Sequence, residues 1–268
     1  MLPHSIFESA ASKVERADHH IRDFQATFKA FTQRYGHTVH IHSDAKTGPL
    51  FFETVSDGTL PAKMGLILSD AIHNLRTALD HATWELAGFD KGAQDRHTKL
   101  PTGDNRVNFE AACKGIITPL QSTKDFFTQL AIYPQGAGEL LYWLCQLDNA
   151  EKHTVLSPVV QAATVERIEF FDLADGTRWE SENVTLIPGP SGRSYIKLEP
   201  GLGINCNIKH KTTSDVFFGD VQGVPHQPII PTLLHFRDAV SDTLREFRRL
   251  VVARHPGIPT DLRNKLIG

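Results

Sequence analysis

The sequence predicts an α+β protein: a helical bundle with an inserted β-hairpin and a small antiparallel sheet, its terminal helix returning to the bundle. Three observations predict it. Apolar residues recur at steps of three and four over several long stretches. The period changes to two at 37–60 and again from about 160. Helical spacing then resumes over 230–254.

The elements follow in order. Ser5-Ile6-Phe7-Glu8 reads as a capping box. Behind it Val14, Ala17, Ile21, Phe24, Phe28 and Phe31 mark a long helix over 5–34, ended by Gly36. His37-Thr38-Val39-His40-Ile41-His42 alternates, as does Leu50-Phe51-Phe52-Glu53-Thr54-Val55, with a turn-rich stretch between them. Pro61 and Gly88 bound a second helix over 62–88. Asn105 is the expected cap of a short helix ending at Gly115. Ser122-Thr123-Lys124-Asp125 reads as a second capping box, within a helix placed at 119–132. A further helix spans 138–157, with Leu140, Leu141, Leu144 and Leu147 as its stripe. Short alternating strands then fill 163–220, with Asp175-Gly176 as a hairpin turn. Leu233, Leu234, Phe236, Val240, Leu244, Phe247 and Val251 form the stripe of the terminal helix. The expected parts are a bundle at 1–160 carrying the hairpin at 37–60, a β subdomain at 161–228, and a returning helix with a basic tail at 229–268, sharing one discontinuous core.

Composition narrows the function classes. The 268 residues are 40% hydrophobic and 22% charged, which is ordinary for a globular protein. A net charge of −3 gives no global field for recruiting nucleic acid. Three widely spaced cysteines fit no zinc spacing and suit a reducing cytoplasm. The first residues show no secretory leader, and no apolar run is long enough to span a membrane. A cytoplasmic protein with no membrane partner is the expectation.

The densest chemistry lies in the stretch 66–86. Leu68, Ile72, Leu75, Leu79, Ala82 and Leu86 form its core stripe. A second stripe carries Ser69, His73, Arg76, Asp80 and Trp84. Two readings of it stay open. Arg76 and Asp80 are i, i+4 partners and can form a structural ion-pair seam. Alternatively the stripe lines a functional cleft.

The segment His73-Asn74-Leu75-Arg76-Thr77-Ala78-Leu79-Asp80-His81 contains Arg, four residues, then His. This resembles the signature of the HEPN superfamily of small helical-bundle proteins, many of which are metal-independent endoribonucleases. With Tyr133-Pro134 and Asn149-Ala150-Glu151-Lys152-His153, it also resembles a group of uncharacterised bacterial proteins over most of residues 1–160. The first resemblance implies His81 as acid/base, Arg76 as phosphate clamp, RNA as partner and a homodimer. His73, Asp80, Lys152 and His153 would support them. HEPN nucleases usually place a strongly polar residue beside the arginine, and here Thr77 stands there. Arg76 and His81 are five residues apart, about 140° around an ideal helix. Both reach one phosphate only if the helix distorts or two subunits meet across a two-fold axis.

Other patterns carry alternatives. Arg245, Arg248 and Arg249 form a candidate phosphate-binding patch for RNA, or simply suit the negative end of their helix. Asp70-x-x-His73, with Asp148 and His153, has carboxylate–histidine spacing for a metal-binding bundle, and His40-x-His42 for chelation on a strand. The carboxylates are too few for a di-metal site, so neither metal nor cofactor is assigned. Gly136 and Gly138 precede a helix, but Glu139 occupies the anion position. A non-catalytic bundle that binds a partner or ligand completes the set of functions.

Overall fold

The structure is a computed structural model. It describes residues 6–35, 37–43, 50–56, 58–91, 94, 98–116, 118, 120–151, 156–188, 193–199, 201–205, 212–219, 221, 224–225 and 227–254. Over 37–43, 50–56, 161–163, 188, 193–195, 197, 205 and 212 only the backbone is described.

The element order is α1 (Glu8–Arg34), β1 (His37–Ser43), β2 (Leu50–Ser56), α2 (Lys63–Phe89), α3 (Arg106–Gly115), α4 (Gln121–Leu130) and α5 (Glu139–Glu151). It continues with β3 (Pro158–Asp172), β4 (Arg178–Thr185), β5 (Ile187–Pro188), β6 (Arg193–Lys197), β7 (Leu202–Asn205), β8 (Thr212–Phe218) and α6 (Ile229–Arg254). The chain forms two compact units. One joins Met1–Asp23, Leu66–Val155 and Pro231–Gly268; the other joins Phe24–Gly65 and Leu156–Ile230.

The first unit is the helical bundle. Leu68, Ile72, Leu75, Leu79, Ala82 and Leu86 of α2 are all fully buried, so the apolar stripe faces the core as its period predicts. Ala71 and Ala78 are also fully buried, which puts α2 at the centre with more than one face covered. The terminal helix returns to this bundle. Phe247 of α6 meets Phe7, Phe126 and Phe127 edge-on, with ring centroids 6.0, 5.3 and 5.5 Å apart. Arg237 of α6 pairs with Asp18 of α1 at 3.0 Å.

Asn105 caps α3, its side-chain oxygen accepting from the Asn108 N–H at 2.9 Å. The second expected cap differs. Leu120 stands at the N-cap of α4, with no side-chain bond there. Ser122 and Thr123 are drawn away by stronger partners: Ser122 accepts from Arg254, and Thr123 donates to Asp90. Asp90 is buried and also accepts from Thr118 at 2.7 Å and from Arg254 at 2.6 Å, so the ends of α2 and α6 are clasped through one carboxylate. Ser5 of the first expected capping box lies outside the described residues.

The second unit holds two antiparallel sheets, ordered β1-β2-β6-β5 and β4-β3-β7, with β8 also paired to β3. The hairpin at 37–60 therefore does not belong with the bundle segment. Its β2 pairs with β6, Phe51 opposite Lys197 and Val55 opposite Arg193. An apolar strand such as β2 leaves an open row of backbone groups unless a further strand covers it, and β6 does so. Val165, Ile168, Leu186, Leu198 and Ile204 form a buried hydrophobic cluster within this unit. The expected turn forms at Asp175-Gly176, where Gly176 takes φ +75° and Asp175 accepts from the Thr177 N–H at 2.8 Å.

Candidate functional site

α2 runs unbroken from Lys63 to Phe89. Its polar residues therefore diverge as helical geometry requires, into three surroundings within the bundle unit.

The first is buried and centred on Arg76. Its Nη2 lies 2.9 Å from Asp80 Oδ1 and donates to the Leu100 carbonyl at 3.4 Å. The Leu100 N–H donates to the same Asp80 oxygen at 2.9 Å. Guanidinium, carboxylate and the backbone N–H and C=O of one residue thus close a ring that ties the segment around Leu100 to α2. Only 8% of Arg76 is exposed. Its Nη1 has no hydrogen-bond partner among the described residues. Burial works against the charge of Arg76, but Cys145, Asp80 and Asp148 outweigh it and hold the guanidinium more basic than usual. Cys145 is itself pushed up to about 11 by burial, an effect that Arg76 only partly offsets. At neutral pH it is a thiol, so Asp80 and Asp148 are the effective counter-charges.

The second joins His73 to Asp148 of α5, Nδ1 to Oδ1, at 2.9 Å. Nε2 of the same ring lies 3.4 Å from the Thr77 hydroxyl. Asp148 is buried and His73 exposed. Lys152 and His153, the other expected supporting residues, lie outside the described residues, as do the side chains of His40 and His42. Among the described residues, no group of three or more His, Cys, Asp or Glu gathers to hold a metal ion.

The third is a cavity of about 570 Å³ lined by Ser9, Asp80, His81, Trp84, Glu85, Gln94 and Thr98. That volume suits a small organic ligand. His81 Nδ1 lies 2.7 Å from Ser9 Oγ. Ser9 is delivered by an unusual start to α1. Phe7 takes φ +60°, in the left-handed region that costs a non-glycine residue about 1–2 kcal/mol. Its buried ring packs on Phe89 and Phe247, and its N–H donates to Glu85 Oε2 at 2.9 Å. Burial pushes the Glu85 carboxyl up; the Phe7 amide and His81 pull against this, and Glu8 adds to it. Trp84 is 44% exposed, uncommon for so large an apolar side chain. Gln94 is held by donating to the Trp84 carbonyl at 3.0 Å.

The expected pair is therefore divided. His81 lines the cavity, whereas Arg76 is buried and does not. The Ser9–His81 pair is half of a nucleophile–base arrangement. Glu85, one turn away, is turned toward Phe7. Ser9 and Leu100 carry no site signal in the sequence because they come from segments remote from α2, and Glu85, though on α2, lies off the stripe of Ser69, His73, Arg76, Asp80 and Trp84; the φ of Phe7 has no signature in the sequence.

The candidate RNA-binding arginines of α6 are largely engaged. Arg245 pairs with Asp242 at 2.7 Å, and Arg249 pairs with Glu246. Arg248 is half-buried, and burial together with Arg245 depresses its basicity. No described helix is long and apolar enough to cross a membrane. No protein-family model, curated protein or solved structure matches the chain.

Proposed function

We propose that the protein is a non-catalytic, ligand-binding helical bundle whose ligand occupies the cavity of His81 and Trp84. The exposed indole of Trp84 carries this reading. It stands on the wall of an open cavity beside convergent polar groups from Ser9, His81, Gln94 and Thr98. The engagement of Arg76 by Asp80 and Leu100 supports it, because a clamp for a phosphate needs an open guanidinium. Saturation-transfer NMR with indole, benzamide and adenosine tests it. At least one should bind the native protein and lose binding in Trp84→Ala. Binding by none of them, or binding unchanged in Trp84→Ala, would sink the proposal.

A second reading keeps the HEPN-like assignment: a metal-independent endoribonuclease acting as a homodimer. The observation favouring it is that His81, a group suited to proton transfer near neutral pH, lies beside an aromatic face on which a base can stack. RNA incubated with the protein in excess chelator should be cut by the native chain and not by His81→Ala. Intact RNA in both reactions retires this reading. Either activity suits the cytoplasm, where Cys113 and Cys145 stay free and reduced.

A further inference from the structure

The class of ligand follows from the charges on the cavity wall, granted the ligand-binding reading above. Two carboxylates line it, Asp80 and Glu85, and among the described residues no Lys or Arg does. The two are not equivalent. Asp80 is offset by Arg76, which lies against its Oδ1 behind the wall. Glu85 has no Lys or Arg partner among the described residues; its Oε2 accepts only a neutral peptide N–H, that of Phe7. Among the described residues, that half-buried carboxylate has no fixed cation beside it, and His81, charged only when protonated, is the neighbour that offsets it. Trp84 lies next to it, and an indole face is the strongest aromatic partner for a cation. Successive positions on a helix point about 100° apart. With both side chains on the cavity, Trp84 and Glu85 form different walls of it.

We infer that the cavity takes an organic cation, an ammonium or amidinium group carried on a flat ring, with its charge toward Glu85 and its ring against Trp84. An anion of the same shape meets two carboxylates and, among the described residues, no Lys or Arg. Ser9, Gln94 and Thr98 supply hydrogen-bonding groups that tolerate either a charged or a neutral nitrogen.

Three probes of one shape test this on the full chain: benzamidinium, neutral benzamide and benzoate. Titration calorimetry at neutral pH and low salt should give benzamidinium an affinity at least tenfold above benzoate, with benzamide between them. Raised salt should narrow the gap. Glu85→Gln keeps an acceptor for the Phe7 N–H and should bring benzamidinium down to the level of benzamide. Trp84→Ala should weaken all three.

The outcomes separate two failures. If benzoate binds as tightly as benzamidinium, and Trp84→Ala abolishes both, the cationic class is wrong and the cavity reading stands. The same holds if the preference survives in a folded Glu85→Gln. If no probe binds the native protein, and neither indole nor adenosine does, the cavity is not a ligand site. The order among the three probes needs no variant, so a poorly folded Glu85→Gln does not shield the inference.

Discussion

His73 and Asp148 lie 75 positions apart in the chain and 2.9 Å apart in space. The carboxylate is 3% exposed and the imidazole 54%. Asp148 thus holds Nδ1 from inside the bundle, while Thr77 stands by Nε2. Asp148 is also one of the charges that stabilise the Arg76 guanidinium, so α5 is tied to α2 by charge as well as by its apolar stripe. Replacing His73 by Ala removes a partner from a buried carboxylate and is expected to lower stability by about 1–3 kcal/mol. Urea denaturation measures it. A variant as stable as the native chain would mean that other partners hold Asp148.

Arg76 and Asp80 should behave as one unit. Arg76→Ala leaves Asp80 beside the Leu100 N–H alone, and Asp80→Ala leaves a buried guanidinium short of a counter-ion. Each is expected to cost about 3 kcal/mol, with a coupling above about 1 kcal/mol in the double-mutant cycle. Small additive effects would show that the arginine is held open for a ligand instead.

Leu75 and Leu79 are both fully buried. Truncating either to Ala is expected to cost about 2–5 kcal/mol, because α2 is enclosed and its surroundings cannot close over the space. Thermal or urea melts check this, and a loss below about 1 kcal/mol would contradict the placement of that face.

The two buried thiols make an alkaline prediction. Burial pushes both Cys113 and Cys145 up from 9.0 to about 11. The unfolded chain then ionises before the folded one. Their stabilising contribution is complete below about pH 9 and is lost as pH rises toward 11. Melting temperature should fall across that window, and less steeply in Cys113→Ala or Cys145→Ala. At pH 8 the native protein should leave both thiols unmodified by Ellman's reagent, while the unfolded protein reacts at both.

What the sequence made legible was local. Leu68 through Leu86 showed their buried face because seven-residue spacing survives in the chain itself. Asn105 and the Asp175-Gly176 turn were visible for the same reason: their partners lie within three residues. The divergence of Arg76 and His81 was legible too, as a consequence of 100° per residue. Contacts made by packing were not. Nothing near Ser122 reveals that Arg254 will draw it from a capping role, and nothing in β2 announces β6 as its neighbour. The charged stripe was real as a pattern but not as one surface: Arg76 faces inward and Trp84 faces the cavity.

The clasp between Asp90 and Arg254 spans 164 positions of chain. During synthesis, therefore, Phe7 and Phe127 emerge long before Phe247, the ring that covers them both. Ribosomes add roughly 5–20 residues per second, so the bundle waits several seconds with its aromatic centre uncovered. A nascent chain halted before α6 should be held by chaperones and cut readily by protease. The same chain released complete should resist. The second unit, whose residues end before α6 begins its main course, is already available to fold in that interval.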